Sequence, residues 1–115
     1  MTENATVWKL RTVKDYPEAH HHLMVGKVIE QTPMWVSVLG KTYHFGNAVN
    51  TLQDIKVGPL MTRIVPWNRI EVIHVQAPDF DYGNAELVME EAGRAVTLRD
   101  KSHICRIFTP HHRPY

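Results

Sequence analysis

Residues Leu60 to Val75, Leu-Met-Thr-Arg-Ile-Val-Pro-Trp-Asn-Arg-Ile-Glu-Val-Ile-His-Val, limit what this chain can fold into more than any other stretch. Ile64 and Val65 run straight into Pro66. Proline carries no backbone N–H and is excluded from the middle of a central strand. The stretch therefore predicts a strand, a Pro-Trp-Asn corner and a second strand through Ile70, Val72, Ile73 and Val75. Small, strongly bent β-folds use such corners to turn a strand pair or to pass from one sheet face to another.

The rest of the chain supplies further short strands. Ala5 to Val13 alternates, with Trp8 and Leu10 on one face. Leu23 to Gln31 places Leu23, Val25 and Ile29 on a common face, and Thr32-Pro33 signals a turn. Met34 to Leu39 alternates again. Gly40-Lys41 reads as a hairpin turn, because glycine accepts the positive φ such turns need. Thr42 to Phe45 is then the returning strand. Val49, Leu52 and Ile55 are spaced for a helical turn, among weak helix formers. Asn84 to Ala92 predicts a short helix, with Asn84 as N-cap, Glu86 near the positive end of the dipole and Gly93 at the C-cap position. Val96 to Leu98 and His103 to Phe108 are two more strands. The tail from Thr109, holding Pro110 and Pro114, is expected to stay irregular.

At 115 residues the chain has room for one modest core. The expected organisation is a single domain, with a core over about residues 5–75, a helix-and-strand extension over 79–108 and a tail from 109. Roughly five to seven short strands at 8–12 residue spacing with one short helix point to a mainly β fold, a small, strongly bent barrel or sandwich. No apolar run is long enough for a membrane span. Met1 to Thr6 lacks the regions of a signal peptide, and Cys105 alone cannot form an intramolecular disulfide. A reducing, cytoplasmic setting is the expectation. The net charge of +1 names no partner, but its distribution is uneven: residues 79–91 are acidic without a base, whereas Arg94, Arg99, Lys101, Arg106 and Arg113 follow against Asp100. Such blocks either guide self-association or an anionic ligand, or are simply solvated faces.

Residues 23–75 resemble the Sm/LSm family of small RNA-associated barrels. Val36-Ser37-Val38-Leu39-Gly40 followed by Gly46 fits the first half of that family's first motif, with Asn47, Asn50 and Asp54 near the loop positions. Leu60 to Ile64, Pro66-Trp67-Asn68-Arg69 and Ile70 to Val75 fit the second. The family's Asp-x-Met-Asn is absent, and Pro-Trp-Asn-Arg stands in place of its Arg-Gly. SH3-like barrels give similar patterns. The resemblance implies an SH3-like/Sm-like barrel joined edge to edge in a homo-oligomeric ring of roughly five to seven chains, binding single-stranded RNA at loops near the pore. Asn47, Asn50, Trp67, Asn68 and Arg69 would then be the contact residues, through base-edge hydrogen bonds, stacking and phosphate contacts. Trp67 reads better as a core or interface anchor, with Asn68 as a turn residue and Arg69 as surface.

Eight histidines raise the question of a metal site. His20 and His22 are the weak candidates, lying on one face if the run is extended. No His-Glu-x-x-His spacing, nucleophile elbow or phosphate loop is present. Cys105 alternates with His103 and Ile107 and reads as a buried small apolar residue. The sequence thus predicts a non-enzymatic module without a cofactor. The alternatives to RNA binding are a self-assembling structural barrel, docked through its acidic and basic blocks, and a histidine-based metal-binding protein.

Overall fold

A computed structural model describes residues 5–16, 19–91 and 94–110. The expected strand at the N-terminus is β1 (Val7–Thr12), followed by two long strands, β2 (His21–Gln31) and β3 (Trp35–Phe45). Two short pieces follow, β4 (Lys56–Val57) and β5 (Met61–Pro66), then β6 (Ile70–Gln76). All pair antiparallel in one sheet of order β4-β3-β2-β1-β6, and β5 lies on the same edge of β3 as β4. The C-terminal part forms a second antiparallel sheet, β7 (Glu86–Met89), β8 (Val96–Arg99) and β9 (Ile104–Phe108). The fold is mainly β, as the alternating sequence implies.

Gly40 is not a turn. It sits in the middle of β3, directly opposite Gly26 of β2. Neither glycine takes a positive φ; what each supplies is a missing Cβ. A Cβ on Gly26 would lie 2.6 Å from Gly40 Cα and run into the Leu39 carbonyl, and one on Gly40 would run into the Val25 carbonyl. Chain reversal is done instead at Thr32-Pro33. There Thr32 N–H donates to Trp35 O, and its Oγ1 accepts from Met34 and Trp35 N–H. The close approach at the glycine pair, with a bulge between Val28 and Glu30, lets the hairpin bend and curl.

The curl is tied at the corner the sequence marks. Trp67–Arg69 is a 3-10 turn joining β5 on one edge of the sheet to β6 on the other. Trp67 N–H donates to Met34 O, and its indole Nε1–H donates to Thr32 O at 2.6 Å. On the far side Val13 N–H donates to Arg69 O. The hairpin tip is thereby held against the end of β1. No ladder joins β5 to β6 among the described residues, so the sheet is curled and left open between them.

Both faces of the central strands are buried. On the concave face Leu10, Met24, Val36 and Val38 form a core with Trp8, Val65, Trp67 and Ile73 packed against it. On the other face Val7, Leu23, Val25, Tyr43 and Phe45 meet Val96, Leu98, Cys105 and Ile107 of the second sheet. Cys105 is thus a core residue, its thiol pushed up to about 11 by burial.

The helix expected over Asn84 to Ala92 is strand β7 instead. Asn84 donates its side-chain amide to the Asp81 carboxylate rather than capping a helix. Ala85, Leu87 and Met89, at period two, reach the shared core while Glu86 to Met89 pair with Arg99 to Val96. A helix this short is marginal by itself, and ladder pairing with burial outweighs its end signals. Ala92 and Gly93 lie outside the described residues, as does the tail from 111. Val49 to Ile55 forms one 3-10 turn, Leu52–Asp54.

Gly40→Ala is expected to lower the urea unfolding free energy by about 1–3 kcal/mol, because the obstructing atoms are backbone. An unchanged midpoint would refute the close-approach role. Trp67→Phe keeps an aromatic ring but removes the indole N–H that Thr32 O accepts, and is expected to cost about 1–2 kcal/mol in the same measurement.

Candidate functional site

The residues the sequence singles out do not converge on one place. Asn47 follows β3, its Oδ1 accepting from Lys14 Nζ at 3.3 Å and lying 3.0 Å from His21 Nε2. Asn50 donates its N–H to Asp54 and accepts from Arg94 Nη2 through both its carbonyl and its side chain. Arg94 holds a left-handed φ of 55° in the turn that brings it there. Trp67 is half-buried, 6.3 Å from the Trp8 ring, with its indole N–H engaged; it stands as an anchor of the corner. Asn68 is exposed on the same turn, and Arg69 pairs with Asp15 at 3.1 Å. His22 stacks on His44 across the β2–β3 ladder, ring centroids 4.0 Å apart. No group of three or more His, Cys, Asp or Glu is placed to hold a metal ion among the described residues.

A groove of about 870 Å³ lies between the convex face of β1–β3 and strand β9. Lys9, Arg11, His21, Asn47 and Arg106 line it with Phe45 and Phe108. β1 turns Lys9 and Arg11 to the same side as Val7 by alternation. Lys9 Nζ donates to Arg106 O at 2.8 Å, and burial pulls its pKa down. Arg11 pairs with Glu71 at 2.6 Å, while its Nε is buried without a partner among the described residues. Burial also lowers the His21 pKa, against the Asn47 hydrogen bond that raises it. Phe45 stacks with His21 at 5.1 Å and meets Phe108 edge-on at 5.7 Å. Cations and aromatic rings lining one groove are the elements of an anion-binding or base-stacking surface. Sequence reasoning included Asn47 and counted Arg106 in the basic block. It missed Lys9, Arg11, Phe45 and Phe108, whose only local signal is two cations on the buried side of β1.

The acidic and basic blocks meet within the chain. Glu90 pairs with Arg99 at 3.2 Å, and His103 sits between Asp100 at 3.0 Å and Asp79 at 3.1 Å. Asp100 also accepts the N–H groups of Asp81, Ser102 and His103, which hold its carboxyl well below the usual carboxylate range. The Asp100 hydrogen bond in turn raises the His103 pKa. No protein-family model, curated protein or solved structure matches this chain. No helix is long and apolar enough to cross a membrane among the described residues.

The Asp100–His103 knot has a defined pH signature. A carboxyl depressed on folding contributes stability above its ordinary pKa that is lost as pH falls through the folded value. A histidine raised on folding contributes below its ordinary pKa, and that part is lost as pH rises through the folded value. Proton NMR of His103 is expected to give a midpoint above the ordinary histidine value, and Asp100→Asn is expected to bring it down. A midpoint indifferent to the substitution would remove Asp100 as the cause.

Proposed function

We propose that the chain is an Sm-like, SH3-type open barrel that assembles edge to edge and binds single-stranded RNA. The observation that carries this reading is the path of the sheet. Strands β5-β3-β2-β1-β6 follow one another around a curl, and a 3-10 corner links the two end strands. Both end strands keep an outer edge that pairs with nothing among the described residues. They are of similar length and carry exposed apolar side chains: Ile64 is 61% and Val75 74% exposed. Unpaired strand edges invite strand addition, and β5 of one copy against β6 of the next repeats head to tail until a ring closes. The basic, aromatic groove with Asn47 is the RNA surface of this reading, since stacking and phosphate contacts need no sequence-specific pocket. A structural assembly docked through charge blocks is disfavoured, because Glu90, Asp79 and Asp100 already find Arg99 and His103 within the same protomer.

Light scattering after size exclusion is expected to give a closed oligomer unmoved by dilution, and Ile64→Lys with Val75→Lys to release monomer, because edge lysines oppose strand addition. A monomeric wild type would overturn the assembly. In an RNA titration Arg106→Ala is expected to weaken oligo-U binding and lower the salt slope by about one. Unshifted oligo-U and oligo-A at low salt, with protein at micromolar excess, would overturn the RNA reading.

A further inference from the structure

The concave side of the curled sheet has its own opening, separate from the groove. It is a cavity of about 470 Å³ at the end of the inner core, walled by Leu10, Met24 and Val65 and rimmed by His22, His44 and Arg63. A cavity of this size with apolar walls and a few converging polar groups is the ordinary form of a small-molecule site, and barrel mouths are a usual place for one.

The rim is basic. The charged neighbours that His44 feels are His22, Arg63, His20 and Lys56, every one a base. The carboxylate of the adjoining cleft, Asp15, is taken by Arg69. Burial first and these bases second hold the His44 pKa below its ordinary value. Arg63 is fixed, not free to leave: Nη1 donates to Gly40 O at 3.0 Å and to Met61 O, and Nη2 to Pro59 O at 3.2 Å. A guanidinium has five N–H donors. Its Nε–H and one Nη2–H therefore remain without a protein acceptor among the described residues. Gly58 keeps the rim open. A Cβ there would run into the Thr42 hydroxyl and lie 3.2 Å from Arg63 Nη2.

We propose that this mouth binds a small carboxylate with an apolar body, its head held by Arg63 and the His22–His44 stack and its chain laid against Val65 at the outer edge of the inner core. The carboxylate supplies the anion that the rim lacks, with charge-assisted hydrogen bonds from Arg63. The apolar body covers Val65, the half-buried part of that wall, in front of the buried Leu10 and Met24. A bound anion favours the charged imidazoles, so binding takes up protons and tightens as pH falls toward the histidine range.

The test uses the full chain, with octanoate as probe and octanol as control. Histidine ring protons are followed by NMR across pH, with and without each ligand. Octanoate is expected to raise the midpoint of His44 saturably, and octanol to bind about tenfold more weakly or not at all. Arg63→Gln is expected to weaken octanoate about tenfold while leaving octanol unchanged. A His44 midpoint unmoved by millimolar octanoate would overturn the proposal, and so would octanol binding as tightly as octanoate. The comparison of the two ligands on wild type stays decisive if Arg63→Gln fails to fold, and it is independent of RNA binding and of assembly.

Discussion

The architecture depends on two backbones being able to touch. Where Gly26 faces Gly40, β2 and β3 approach to a distance no side chain would permit. Antiparallel strands of this length would otherwise run on as a twisted ribbon. The bend at the glycines returns the hairpin tip to the β1 end, and the Trp67 indole fastens it there through Thr32 O. Two elements far apart in sequence thus do one job. Without the bend there is no concave face, and without the tie nothing fixes how far the curl goes. The inner core of Leu10, Met24, Val36 and Val38 exists only inside that curl.

A consequence is that the middle strands are covered twice, once by their own curled continuation and once by the second sheet. Leu23, Met24 and Val25 are consecutive and all buried. Simple alternation is therefore weakest where the core is densest. A fully buried run of this kind cannot be assigned a single inward face from periodicity.

The strands around Pro66 were legible because proline and β-branched residues act locally. The errors at Gly40 and at Asn84 have a common physical origin. Both are local signals, a glycine and a capping sequence, whose meaning is fixed by a partner strand distant in the chain. Gly40 looks like a turn until Gly26 is placed opposite it. Asn84-Ala-Glu looks like a helix start until Leu87 and Met89 are needed for the core under β8. The candidate sites were less legible for the same reason. The groove takes Lys9 from β1, Phe45 from β3 and Arg106 from β9, and the mouth takes His22, His44 and Arg63 from three strands. No spacing in the sequence encodes either set. The polar residues of the loops, by contrast, were easy to see and are mostly spent on structure: Asn50 on Arg94, Trp67 on Thr32, Arg69 on Asp15.

Charge placement separates the two concavities and argues that they serve different ligands. The groove has a carboxylate at hand, since Glu71 already pairs with Arg11, and its Lys9 amine is spent on a carbonyl. The attraction proposed for a polyanion would be spread over several partly satisfied cations, as suits a flexible strand making many weak contacts. The mouth is the reverse: an apolar-walled opening with a guanidinium fixed by three carbonyls and no acid among the groups acting on His44. A pinned cation with spare donors above an apolar wall loses little entropy on binding, and it discriminates by shape and single charge. One curled sheet thus presents an extended basic surface on its outer face and a small amphipathic pocket on its inner one.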